Sequence, residues 1–209
     1  MNLNQLVPVL IPLSLALSLS ACNSSTDGTG VAEGAEGESG AQEQGMDHPL
    51  EGSWKGTLNC SATVNDNGRI QNESGTQSFE LKFDDSGDLV LVLGGRDRSL
   101  EQEGQVITTQ ESDGSILKTT VSDRAVSNAG ATYVVDSVSD DTQADSNSNF
   151  SVHGEQRTSI DFNLDSSGSK GAITLRIDSD ETTSFSSQFG SGVTQKLSQL
   201  SCTGEMSRN

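Results

Sequence analysis

The stretch Gly52-Ser53-Trp54-Lys55-Gly56-Thr57-Leu58-Asn59-Cys60-Ser61-Ala62-Thr63-Val64 decides the fold. Trp54, Gly56, Leu58, Cys60, Ala62 and Val64 recur at a period of two, with Lys55, Thr57, Asn59, Ser61 and Thr63 between them. Successive side chains of an extended strand point to opposite faces, so this stretch reads as a strand with one dry face and one wet face. A helix would need apolar residues at i, i+3, i+4 and i+7, and no stretch of the chain keeps that spacing for long.

The same alternation returns along the chain. Phe79, Leu81 and Phe83 show it, as do Leu117, Thr119 and Val121, then Thr158, Ile160, Phe162 and Leu164. Ile173, Leu175 and Ile177 follow, then Thr183, Phe185 and Phe189, and finally Leu200, Cys202, Gly204 and Met206. Turn-forming runs separate these segments: Asn65-Asp66-Asn67-Gly68, Asp84-Asp85-Ser86-Gly87, Glu111-Ser112-Asp113-Gly114 and Asp165-Ser166-Ser167-Gly168. The pattern predicts an all-β domain over 51–209 with about eight to ten antiparallel strands in sequential hairpins. That is an up-and-down barrel, with a β-sandwich as the alternative. Trp54 is its largest core anchor, worth about 150–250 Å² of burial. The polar run at 139–149 predicts a mobile loop.

The chain begins differently. Leu6 to Leu19 is apolar apart from Ser14 and Ser18. It is short for a membrane-spanning helix, which needs about 20 apolar residues, and suits the central part of a secretory signal. It ends in Leu19-Ser20-Ala21-Cys22, which resembles the lipobox of bacterial lipoproteins. The resemblance implies a signal peptide over 1–21, cleavage before Cys22, a diacylglycerol on its thiol and acylation of its new amino group. Several acyl chains anchor a protein stably where one does not. Asn23-Ser24 stands where an Asp would imply retention in the inner membrane, so the resemblance implies an outer-membrane protein, facing the periplasm or the cell surface.

Between anchor and domain, residues 22–50 form the lipidated Cys and a tether rich in Gly, Ser, Ala and Glu. The tether carries six acids and no Lys or Arg. Such a segment cannot bury enough surface to offset its ordering entropy and is expected to be disordered. As a flexible coil it would span roughly 30 Å, a spacer between membrane and domain. Lys and Arg number 12 against 30 Asp and Glu, a net charge of -18, of which the tether holds six, leaving -12 on 51–209. That excludes nucleic acid as a partner, because phosphate binding needs a basic patch.

The lipoprotein resemblance also settles the count of three Cys. With Cys22 lipidated, Cys60 and Cys202 remain, and an oxidising envelope implies that they pair. They sit on the apolar faces of the first and last strands. Pairing sets those strands side by side, closing the sheet, or on facing sheets. Gly52-Ser53-Trp54 resembles the Gly-x-Trp opening of lipocalins, where the Trp plugs one end of a barrel and an Arg of the last strand packs on it. The resemblance would give Arg208 that part, while the Thr-Asp-Tyr motif of that family is not evident here.

Chemistry is sparse. His48 and His153 are far apart, so no zinc spacing is legible, and His153 is expected to point away from the apolar face. No G-x-S-x-G, H-E-x-x-H or P-loop occurs, so no cofactor, metal or catalytic residue is assigned and the protein is read as a non-enzyme. Asp84, Asp85 and Asp88 read as a turn rather than a calcium loop, and Gly94-Gly95-Arg96-Asp97-Arg98 as a solvated hairpin end. A membrane-spanning barrel needs aromatic girdles that eight aromatic residues cannot supply. The expected function is therefore a lipid-anchored module binding a small apolar ligand in the envelope. The alternative is an interaction or inhibitor domain for a cationic protein, such as a lysozyme-like enzyme. Oligomeric state is left open.

Overall fold

A computed structural model describes residues 48–93, 95–110, 115–144, 148–187 and 190–209. Ten strands follow one another: β1 (Gly52–Asp66), β2 (Arg69–Phe83), β3 (Leu89–Leu93), β4 (Arg96–Ser99), β5 (Val106–Gln110), β6 (Ile116–Ser127), β7 (Gly130–Ala144), β8 (Ser148–Leu164), β9 (Lys170–Ser187) and β10 (Gly190–Arg208). All pairings are antiparallel, in one sheet of order β4-β3-β2-β1-β10-β9-β8-β7-β6-β5. The all-β, antiparallel reading holds, and ten strands fall within the expected number. The first and last strands do lie side by side, but the ladder is not closed. The join of β1 to β10 sits mid-sheet, and the edges fall at the two shortest neighbours, β4 and β5.

The sheet curls round one core all the same. Five strands separate β3 from β7 in the sheet, yet the Leu89 amide donates to the Tyr133 hydroxyl at 3.0 Å. Trp54 of β1 meets Phe162 of β8 edge to face, ring centroids 5.0 Å apart, and Phe83 stacks on Phe162 at 5.6 Å. Phe162 can lie there because Gly171 faces it: a Cβ at that position would come within 2.3 Å of the ring. Leu58, Leu81, Leu91, Ile160, Leu175 and Met206 complete this apolar end. Burial of Trp54 is total, and its indole N–H donates to the Leu50 carbonyl at 2.7 Å, so no polar group is stranded. The packed unit thus starts at Leu50, itself fully buried, one residue before the expected boundary.

Further along the strands the inward residues become hydroxyls. Thr119, Ser137, Thr158 and Ser198 are buried but satisfied, Thr119 with Ser137 at 3.3 Å and Thr158 with the Gln156 amide at 3.0 Å. At this level the inward side chains are short and polar and bond in pairs, Ser179 with Ser198 as well as Thr119 with Ser137.

Polar residues expected to form a loop at 139–149 instead continue β7 and β8. Asp140 pairs with His153 and Thr142 with Ser151, leaving only 145–147 outside the described residues. Cross-strand pairing sustains a strand whose side chains are polar on both faces. The Glu111–Gly114 turn also lies outside the described residues.

One buried ion pair ties the curl together. Asp88, just before β3, is 4% exposed. Its Oδ1 accepts from Arg124 Nε at 2.7 Å, from Arg124 Nη2, and from the Tyr133 hydroxyl at 3.0 Å. Arg124 reaches it through a bulge in β6: Val121 opposes Val135 but Asp123 opposes Val134, so Ser122 is the extra residue. The bulge reverses which face later residues use and sets Arg124 opposite Tyr133. Burial pushes the Tyr133 hydroxyl well above its ordinary pKa, so it remains a donor. Asp88→Asn leaves Arg124 without its counter-charge. Loss of one partner of a buried pair costs about 3–5 kcal/mol, and the partial exposure of Arg124 brings the expected loss to about 2–4 kcal/mol. Urea denaturation checks this; a loss under about 0.5 kcal/mol, the usual scale of a surface change, would show that the clasp carries no weight.

Candidate functional site

Cys60 and Cys202 oppose each other directly in the β1–β10 register, 142 positions apart in sequence. Their sulfurs are 2.14 Å apart, at disulfide distance, and both residues are buried. Arg208, opposite Trp54 on the neighbouring strand, holds its guanidinium carbon 4.9 Å from the ring centroid and bonds the Pro49 carbonyl. This is the placement expected of it from the Gly-x-Trp opening. Cys22 lies outside the described residues.

The calcium-like run resolves into a turn. Asp84 Oδ1 accepts from the amides of Ser86 and Asp88 at 3.0 and 2.8 Å, and Asp88 is committed to Arg124. Among the described residues no group of three or more His, Cys, Asp or Glu side chains is arranged to hold a metal. Among them, too, no helix is long and apolar enough to cross a membrane. The basic run ends in β4, where Asp97 pairs with Lys82. His48 packs at Gly87 and accepts the Leu50 amide at 3.2 Å.

Sequence reasoning did not foresee a trough of about 720 Å³ crossing the sheet from β7 through β8, β9, β10 and β1 to β2. Most of its lining alternates with core-facing residues and so stands on the face turned away from the core. Asp136, Arg157 and Asp178 form one row across β7, β8 and β9, and Glu155 and Asp180 pair further toward the far end. Four carboxylates thus share the trough with one guanidinium. Arg157 Nη1 is 3.3 Å from both Asp136 oxygens. Arg176 holds Asp178 at 2.8 and 3.1 Å, and the Gln195 amide spans both oxygens of Asp180 at 3.1 and 2.9 Å. Ile70 and Leu197, 64% and 40% exposed, flank Asn65 at the other end. The row could not be read from sequence, because it is assembled from three strands by register alone.

His153 is exposed on the outer face, as expected, between Asp140 of β7 at 2.7 Å and Glu155 at 3.4 Å. The hydrogen bond to Asp140, then that to Glu155, raises its pKa above the ordinary 6.5. A folded-state pKa above the unfolded one stabilises the protein below the unfolded value, and that gain is lost as pH rises through the folded value. The melting temperature should therefore carry a component that declines on going from acid to above neutral pH, small because the pair is exposed. In His153→Gln that component should vanish; identical pH profiles for the two proteins would contradict the assignment.

No family model, curated protein or solved structure matches this chain.

Proposed function

We propose that the chain is an exported lipoprotein, anchored through Cys22 in the outer membrane, whose β domain is a non-enzymatic module binding a cationic segment of a protein partner. The lipobox-like Leu19-Ser20-Ala21-Cys22 supports the anchor. The oxidising compartment this implies agrees with Cys60 and Cys202 standing at disulfide distance.

The observation that carries the binding reading is the trough. Its four carboxylates outnumber the two arginines that reach them, Arg157 and Arg176, on a domain already at -12, so a basic segment is attracted from a distance and meets oriented acceptors on arrival. The expected small apolar ligand is the second reading. Its support is also the trough, where Ile70 and Leu197 offer apolar contact and the volume lies within the range of small-molecule sites.

Binding of an oligolysine peptide to the full chain tests the reading. The double variant Asp178→Asn/Asp180→Asn should weaken it at low salt by about 2–10-fold, while Asp161→Asn/Glu205→Gln, the same loss of charge on the outer face away from the trough, should leave it unchanged. Added salt should abolish the difference. Equal losses in both variants would assign binding to net charge alone. The anchor is tested in cells: Cys22→Ser should release the protein from the membrane fraction, and continued lipid modification would refute it.

A further inference from the structure

β2 pairs with β1 along its whole length, Arg69–Phe83, but with β3 only at Lys82 and Phe83. Among the described residues no strand hydrogen-bonds the other side of β2 between residues 70 and 80. The two-residue turn Asn67-Gly68, both in the left-handed region at φ 49° and 86°, makes Asp66 and Arg69 the first hydrogen-bonded pair. From there the odd residues of β2 bond to β1. The even residues Ile70, Asn72, Ser74, Thr76, Ser78 and Glu80 turn their N–H and C=O groups outward. Lys82, the next even residue, is where β3 joins, which agrees with this assignment.

A free edge of this length usually carries a proline, a bulge or inward-pointing charge against pairing with another chain. This one has no proline and runs without a register shift, and its one inward-facing charge is Glu73, opposite Ala62. The free segment itself holds two acids, Glu73 and Glu80, while Arg69 and Lys82 flank it at its two ends. Its centre is Gly75. Antiparallel pairing with a second copy about a twofold axis through Gly75 aligns the whole free segment with itself. It keeps inward residues opposite inward ones, as a continuous sheet requires. In that register Ser74 faces Thr76 of the other copy, Asn72 faces Ser78, and Glu73 faces Gln77. Each is a hydrogen-bonding pair. No like charges oppose, and the glycine pair permits close approach at the axis.

We propose that the β domain forms a twofold dimer by pairing β2 with β2 of a second copy, centred on Gly75, in one continuous sheet. This stands apart from the trough and its partner, and salt separates the two. Two domains of -12 repel, so added salt should strengthen the dimer while it weakens binding of a basic segment.

Sedimentation of the full chain in a non-ionic detergent, over a hundred-fold range of concentration, tests the proposal. A monomer–dimer equilibrium is expected. Thr76→Pro removes an outward N–H that the monomer does not use, so the melting temperature of the monomer should hold and the dimer should be lost. Gln77→Glu sets a carboxylate opposite Glu73 twice in the dimer and should weaken it about 2–30-fold, whereas Gln77→Lys should tighten it. A monomer at every concentration in high salt, or a dimer indifferent to Thr76→Pro, overturns the proposal. Gln77→Glu and Gln77→Lys acting alike overturns the register.

Discussion

The architecture depends on the pairing of β1 with β10, residue for residue from Trp54 opposite Arg208 to Asp66 opposite Lys196. A meander of hairpins can be drawn as an open sheet with its first and last strands at the edges. Here those strands meet in the middle, and the edges pass to β4 and β5, of four and five residues. Short edges expose few unpaired backbone groups. The cysteines lie within this join, so a covalent link there holds together ends of the domain that are distant along the chain. A link over so long a loop restricts the unfolded chain most.

The join fixes which residues face inward on every other strand, because each register follows from the one before it. The apolar end collects Trp54, Phe83, Phe162 and Tyr133, and the Asp88–Arg124 clasp draws β3 against β6 and β7 where no ladder connects them. Beyond the hydroxyl layer the strands continue past the core as polar arms. The trough carboxylates stand level with the hydroxyl layer, on the opposite face of the same strands. The length of the strands also leaves β2 running past the end of β3.

Much of this was legible in the sequence. The period of two in residues 54–64 and 158–164 is enforced by burial of one face, and each of those predicted strands is present. The pairing of Cys60 with Cys202 followed from the lipobox resemblance, which sets Cys22 aside, and the apolar alternation placed both on inward faces. Other features had no local signal. Alternation at Leu117, Thr119 and Val121 forecasts Asp123 as the next inward residue, and only the bulge at Ser122 delivers Arg124 instead. Asp88 looked like one more turn acid because its partners lie 36 and 45 positions away. The polar run at 139–149 looked like a loop because pairing between polar strands leaves no hydrophobic period. Asp136, Arg157 and Asp178 are neighbours only once two registers are known, β7 with β8 and β8 with β9.

The most direct test of the β1–β10 join is the thermal stability of the native protein beside that of Cys60→Ala/Cys202→Ala, with peptide mapping under non-reducing conditions. The account expects one cross-linked peptide pair containing Cys60 and Cys202. It also expects the double variant to lose about 2–4 kcal/mol, a fall of about 5–15 °C in melting temperature. Free thiols at Cys60 and Cys202 in the native protein, or a double variant that melts with the parent, would contradict it.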